Sequence, residues 1–259
     1  MISLPVKFRT ETLLNIAGRN PVFFFDFDGT LTEIVERPHQ VELKAITKFI
    51  LEELVRRFNV GILSGRRLVD VKQLIGIKGL YYSGNHGVEI EGPDFRFIEP
   101  QSVGSYRYIL SISKAISDKL AGTGALIEQK KYSVSIHYRN LNPKTVKKVL
   151  SELDAILGEP LRRGKIQILH GKKVIEVRPP VDWDKGKALR IILEKIDGTG
   201  KPVFFGDDIT DEYGFREANR LKGISVFVGR KNRNTAAGYW IESPSALIGE
   251  LSKFLFIVE

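Results

Sequence analysis

No cysteine occurs among the 259 residues, which excludes disulfide staples, thiolate nucleophiles and cysteine-held metals. Long apolar runs are absent too. The longest falls far short of the roughly 20 residues needed to cross a bilayer. The opening stretch from Met1 to Arg9 has neither an apolar signal core nor a cleavage site, so a soluble cytoplasmic protein without a membrane partner is expected. Low-complexity segments and array repeats are also missing. Hydrophobic residues make up 42% and charged residues 27% of the chain. That suffices for one large domain or two modest ones with real cores.

Positive charge is not evenly spread. The net charge is +9, and residues 101–175 hold 14 Lys and Arg against 5 Asp and Glu, whereas the remainder holds 26 of each. A solvated basic face, a nucleic-acid surface and a field that attracts a phosphorylated substrate would all have this composition. No basic helix with interleaved aromatics stands out, so no nucleic-acid partner is expected.

The most informative stretch is Val22-Phe23-Phe24-Phe25-Asp26-Phe27-Asp28-Gly29-Thr30-Leu31-Thr32. Its β-branched and aromatic start reads as a buried strand of a parallel sheet. Such sheets bind ligands at their strands' carboxyl ends. Asp26 and Asp28 stand at that end, where two acids repel and are costly to desolvate unless a cation or protons neutralise them. A divalent metal is the economical answer, and oxygen-only ligands favour Mg²⁺. Asp-Gly is also ordinary turn chemistry, so the stretch alone leaves a simple surface turn open.

Three later segments bear on that choice. Asn59-Val60-Gly61-Ile62-Leu63-Ser64-Gly65-Arg66 is a second apolar strand ending in a hydroxyl, a glycine and an arginine. Pro202-Val203-Phe204-Phe205-Gly206-Asp207-Asp208-Ile209-Thr210-Asp211-Glu212 is a third strand ending in acids. Between them, Trp183-Asp184-Lys185-Gly186-Lys187 opens an apolar-periodic helix. Acids for a metal, with a hydroxyl and an ammonium for an anion, make a phosphoryl-transfer site if all converge on one sheet edge.

Alternating strands (22–26, 60–63, 80–82) and helices (41–58, 68–75) build the first part, followed by a hairpin around Gly92-Pro93-Asp94. Residues 102–177 then read helix–strand–strand twice, the layout of an antiparallel sheet with helices on one face. After that the first pattern returns, with strands at 202–206 and 224–228 and a last helix capped by Ser243 and Pro244. The expected fold is therefore α/β: a doubly wound, mostly parallel sheet core (1–100 and 176–259) with an inserted α+β cap domain (101–175).

These four segments resemble the four motifs of the haloacid dehalogenase superfamily of phosphatases. Asp26-Phe27-Asp28-Gly29-Thr30-Leu31-Thr32 together with Gly206-Asp207-Asp208-Ile209-Thr210-Asp211-Glu212 is similar to the trehalose-6-phosphate phosphatase family in particular. Gly84-Asn85-His86-Gly87-Val88-Glu89, His137-Tyr138-Arg139 and Lys173-Val174-Ile175-Glu176-Val177-Arg178-Pro179 extend the likeness, which spans roughly residues 20–245.

The resemblance implies a phosphomonoester hydrolase, Mg²⁺ as cofactor, a phosphorylated disaccharide as substrate, and roles for individual residues. Asp26 is the nucleophile, forming an aspartyl-phosphate. Asp28 is the general acid and then the base, and ligates Mg²⁺ through its backbone carbonyl. Ser64 hydrogen-bonds a phosphoryl oxygen, a role compatible with capping the next helix. Lys185 neutralises the phosphate and Asp26, with Lys187 a rival two residues away. Asp26, Asp28, Asp207 and Asp208 are the expected metal set, Asp207 as a direct ligand and Asp208, like Asp211, as a ligand through water or a support of the metal shell, while acids near 210 also cap the helix that follows. In the cap, Arg139, Lys173, Glu176 and Arg178 are candidates for sugar or phosphate contacts. Arg66 either closes on the phosphate or forms a salt bridge to a helix. His86 and His137 are left between structural and functional roles. A monomer is expected. Other readings stay open here: a phosphatase for sucrose phosphate or a glycosyl-phosphoglycerate, a mutase, or a non-catalytic sugar-phosphate sensor.

Overall fold

The computed structural model describes residues 5–17, 20–35, 40–171, 173–196, 200–230 and 234–258. In chain order the elements begin β1 (Val6–Lys7), α1 (Thr10–Ala17), β2 (Pro21–Phe25), α2 (Ala45–Arg57), β3 (Asn59–Leu63), α3 (Leu68–Ile75) and β4 (Tyr81–Gly84). Next come β5 (Glu89–Glu91), β6 (Arg96–Ile98), α4 (Pro100–Leu120), β7 (Leu126–Gln129), β8 (Val134–His137), α5 (Pro143–Arg162), β9 (Gln167–Gly171) and β10 (Val174–Arg178). The last are α6 (Lys185–Lys195), β11 (Lys201–Gly206), α7 (Glu212–Arg220), β12 (Ile224–Val228), β13 (Tyr239–Ile241) and α8 (Pro244–Ile257). No helix among the described residues is long and apolar enough to cross a membrane.

Two compact units emerge, Met1–Phe97 with Trp183–Glu259, and Ile98–Asp182. The second is wider than the 101–175 read from the sequence. At its start the Glu99 carboxylate caps α4, accepting from the Gln101 and Ser102 N–H groups. At its end β10 pairs along its whole length with β9, so residues 176–178 belong to that sheet.

The first unit is built on a nine-stranded sheet of order β1-β13-β12-β11-β2-β3-β4-β5-β6. The six pairings from β1 through β4 are parallel, and β5 runs antiparallel to β4. All five residues of β2 are buried. The reason is the period of two: Phe23 and Phe25 enter one core, Val22 and Phe24 the core on the other side. Gly61 on the neighbouring strand carries no side chain because Phe24 needs the room; a Cβ there would sit 2.8 Å from its ring. Two elements were not anticipated. β1 and β13 have only two and three residues, too few for any periodicity to register. Helix α2 also starts at Ala45, not at 41. Val41 is buried as its apolar spacing suggested, but from a segment that is not helical.

The second unit is a four-stranded antiparallel sheet of order β7-β8-β10-β9. Helices α4 and α5 cover one face, through Ile109, Ile112 and Ile116 from one and Val149, Leu153 and Leu157 from the other. Val134, Ile136, Ile175 and Val177 meet them. Alternation then puts Ser135, His137, Glu176 and Arg178 on the opposite face.

Helices α6 and α7 are clamped together by Glu217, which accepts two hydrogen bonds from Arg190 (2.8 and 3.1 Å) and two from Arg220 (3.0 and 2.8 Å). The bonds from Arg220, opposed by burial and aided by Arg190, hold the Glu217 pKa down from 4.5 to about 2. A depressed acid stabilises the fold above its unfolded pKa and loses that contribution as pH falls through the folded one. Glu217→Gln should therefore cost about 1–2 kcal/mol at neutral pH, a modest figure because both arginines reach solvent. The gap to wild type should close between pH 4.5 and 2. Urea midpoints across that range check this, and a gap that does not change with pH would contradict it.

Candidate active site

Parallel pairing brings the ends of β2, β3 and β11 to one edge of the sheet. The Asp26 N–H donates to the Phe205 carbonyl (2.9 Å), extending the ladder one residue past β2 and fixing where its carboxylate begins. Lys185 opens α6, whose N-terminus is capped by Asp184 accepting from the Lys187 N–H (3.0 Å). Gly186 lets this turn lie against α7, since a Cβ there would stand 2.7 Å from the Tyr213 carbonyl. The Lys185 ammonium then donates to Asp26 Oδ1 and to Asp211 Oδ1, both at 2.6 Å. Lys187, the rival candidate, contributes its backbone N–H to the cap.

Asp211 is completely buried, and both its oxygens are committed. Oδ1 takes Lys185, and Oδ2 accepts the N–H groups of Asp207 (3.0 Å) and Asp208 (2.9 Å). Asp208 is exposed, and its Oδ1 caps the following turn at Ile209 N (2.6 Å). Together they form a capping box. The expected metal set included Asp208. Among the described residues, Asp26, Asp207 and Asp211 form a group, with one oxygen of each lying within 4.8 Å of the others. Asp208 Oδ1 is engaged by the turn that follows, and Asp211 fixes the backbone of Asp207 and Asp208 through their N–H groups.

Charge in this cluster is unbalanced. Burial, then Asp211 and Asp28, raise the pKa of Asp26 to about 7 against the pull of Lys185. Burial, then Asp26, Asp211 and Asp208, raise that of Asp207 to about 9. Burial alone would lower the Lys185 pKa, but Asp211 and Asp26 outweigh it and hold the ammonium above the ordinary range. One ammonium among three clustered carboxylates leaves a negative excess in a poorly hydrated place. Hard oxygen donors with surplus negative charge fit a small divalent cation.

Asp207 is held from a second side. Thr30 Oγ1 donates to its Oδ1 (3.4 Å), and Gly29, at φ +91°, lies so close that a Cβ would fall 2.2 Å from Oδ2. Glycine is required there twice over, for the positive φ and for the space. Asp28 projects further out and is gripped by Arg66, with Nε to Oδ2 at 2.7 Å and the terminal nitrogen to Oδ1 at 2.6 Å. Arg66 thus makes a salt bridge to Asp28, a partner that neither of its two expected roles included. Ser64 is fully buried after β3, and its Oγ accepts the Arg66 N–H (3.1 Å). His86 packs against Gly65, where a Cβ would meet its ring at 2.5 Å.

On the polar sheet face of the second unit, Glu176 Oε1 accepts from Ser133 Oγ (2.6 Å) and lies 3.5 Å from the Lys130 ammonium. Glu128 pairs with His137 across the same face (3.1 Å). Arg178 donates to Gln167 Oε1 (3.2 and 3.3 Å). Arg139 and the left-handed Lys173 are exposed at the turns where β8 ends and β10 begins. The four cap candidates are thus strung along the sheet and do not form one cluster. Lys130, Ser133 and Glu128 were missed. The clue was a polar residue at every second position beside Val134 and Ile136.

A metal-compatible acid cluster, a buried ammonium and a hydroxyl stand together at the carboxyl edge of a doubly wound sheet, the set of groups that phosphoryl transfer needs. Comparison narrows it. The trehalose-phosphatase family model matches residues 24–245. A trehalose-phosphate phosphatase of Mycobacterium avium is 36% identical over 242 residues, covering 89% of this chain and 61% of that one. The chain thus spans about three-fifths of the length of the curated relatives it matches. The C-terminal domain of a C. albicans trehalose-6-phosphate phosphatase shares the fold at TM-score 0.81 and 24% identity, over 98% of this chain and 99% of that one. An Aspergillus fumigatus trehalose-6-phosphate phosphatase is 27% identical at TM-score 0.65, over 98% and 100%. The chain belongs to the trehalose-phosphatase family.

Gly206 tests how tightly the support is built. A Cβ at this position would stand 2.4 Å from Asp211 Cγ. Gly206→Ala should push the carboxylate off its three donors and destabilise the fold by about 1–3 kcal/mol. An unchanged urea midpoint would show that Asp211 is not fixed from that side.

Proposed function

We propose that this chain is a Mg²⁺-dependent phosphomonoesterase that converts trehalose 6-phosphate to trehalose and phosphate, with the phosphoryl group carried on Asp26. The observation that carries the reading is the buried Asp26 carboxylate, one oxygen on Lys185 and in a group with Asp207 and Asp211. The substrate comes from the names of the relatives. Asp26 and Asp207, with the backbone carbonyl of Asp28, would hold Mg²⁺, which when bound supplies positive charge at the phosphoryl oxygens.

The residues divide the reaction as follows. A carboxylate oxygen of Asp26 attacks phosphorus as the bond to the sugar oxygen breaks, and Asp28 protonates that oxygen. Water then attacks the phosphoryl group and gives its proton to Asp28, and the bond to Asp26 breaks to restore the carboxylate. Lys185 keeps Asp26 in place and offsets charge as the dianion arrives. Ser64 accepts from the Arg66 N–H and keeps one proton to donate to a phosphoryl oxygen. The second unit is the specificity element in this proposal, with Glu176 and Arg178 addressing sugar hydroxyls and Lys173 and Arg139 adding positive charge.

Phosphate release over a panel of phosphosugars, with Mg²⁺ and with EDTA, tests the reading. Trehalose 6-phosphate should be the best substrate. Preference for another phosphosugar would move the substrate, and turnover at full rate in EDTA would remove the metal. EDTA should leave the circular-dichroism spectrum unchanged, because the acids sit on a sheet already formed by its cores. Asp26→Asn should abolish turnover yet retain substrate affinity within a few-fold, as equilibrium dialysis would show.

A further inference from the structure

We infer that Asn85 and Glu89 are positioning residues for Ser64, holding the turn after β4 in a strained shape that fixes the loop carrying its hydroxyl. The inference rests on the proposed function and deepens it, because it gives a task to Gly84-Asn85-His86-Gly87-Val88-Glu89, a motif which that function leaves unused. Two successive residues of this turn, Asn85 (φ +50°) and His86 (φ +56°), are left-handed. Side chains disfavour that region, although asparagine and histidine tolerate it better than most. Two such residues in a row persist only where their surroundings enforce the shape. Here the shape turns two backbone N–H groups onto the loop after β3. The Asn85 N–H donates to the Arg66 carbonyl (2.7 Å) and the His86 N–H to the Ser64 carbonyl (3.0 Å). Ser64 in turn donates its own N–H to the Ser83 carbonyl (2.9 Å). The loop is thus bonded on both flanks of Gly65, and the His86 ring lies against that glycine.

Glu89 enforces the shape. It is fixed on β5, opposite Gly84 on β4. Its Oε2 accepts from Asn85 Nδ2 (2.8 Å), and the two residues are buried. Asn85 Oδ1 has no partner among the described residues, so this one bond holds the amide. A bond to a buried carboxylate is strong, and losing it strands a buried amide. Without it the turn relaxes toward ordinary φ values, and the carbonyls of Ser64 and Arg66 lose their donors. Ser64 is fully buried, and its Oγ already accepts the Arg66 N–H (3.1 Å). A shift of this loop therefore displaces the proton that Ser64 offers to a phosphoryl oxygen. Asn85 and Glu89 act on the phosphoryl group only through Ser64.

Phosphate release from trehalose 6-phosphate with Mg²⁺, with inorganic phosphate as competing inhibitor, tests this on the full chain. Asn85→Ala should lower kcat/KM about 10–100-fold, the range for a displaced donor at the reacting group, and weaken inhibition by phosphate in parallel. Asn85→Gly accepts the left-handed φ without strain and removes only the side-chain bond, so it serves if the alanine variant folds poorly. It should move both readouts in the same direction. Glu89→Gln keeps an oxygen for Asn85 Nδ2 and should stay within about threefold of wild type, whereas Glu89→Ala should match Asn85→Ala. In a Ser64→Ala background, Asn85→Ala should cost less than about twofold more, because it acts through Ser64. A full additional loss there would overturn the inference. It would move the effect to the start of α6, where a Cβ at Gly87 of the same turn would meet the Asp184 carbonyl at 2.9 Å. Glu89→Gln as damaging as Glu89→Ala would also overturn it, as would wild-type kinetics in Ser64→Ala or in both Asn85 variants. In each of these cases turnover by the wild type leaves the proposed function standing. Wild-type protein that releases no phosphate from any phosphosugar would overturn both.

Discussion

One buried ammonium organises the first unit's chemistry. Lys185 is enclosed between Asp26 and Asp211, and each of the three would be expensive to bury alone. The arrangement ties together elements far apart in sequence: β2 through Asp26, α6 through Lys185, and the turn after β11 through Asp211. Around it, Gly206 and Gly186 make room, the Glu217 clamp keeps α6 against α7, and Asp211 passes the constraint on to Asp207 through backbone N–H groups. The metal-compatible acids therefore stand where they do because a structural ion pair stands behind them.

That constraint also explains an excess the protein tolerates. Asp26 and Asp207 are pushed toward neutrality by burial and by one another. A fold selected for stability alone would remove one of them. Keeping both agrees with the proposed function, in which a cation and a phosphoryl dianion would enter and leave. Further out, Asp28 is more open, its side chain 41% exposed, and it is held there by the less exposed Arg66.

Much of this was legible in the residues because it is local. The apolar runs of β2, β3 and β11 and the acids, hydroxyl and lysine that follow them needed only the period of a strand and the habits of parallel sheets. What was not legible depends on how turns close. Asp208 and Asp211 are both acids after one strand, and the turn geometry alone decides that one caps and the other supports; their spacing of three was the available clue. Arg66 could have reached a phosphate, and it reaches Asp28 because the turn after β3 fixes its backbone. The edge strands β1 and β13 carry too few residues for a pattern. In the second unit, the buried Lys130 paired with Glu176 appears in sequence as one more charge of a basic segment, and Glu176 accepts from Ser133, a residue that carries no motif.

The claim on which most depends is that Asp26, held by Lys185, receives the phosphoryl group. Acid-quenching the enzyme during turnover of trehalose 6-phosphate, then locating the adduct by peptide mass mapping, tests it most directly. The account predicts a phosphoryl group on the peptide carrying Asp26, absent from Asp26→Asn protein. A phosphoryl group on any other residue, or sustained turnover by Asp26→Asn protein, would contradict it.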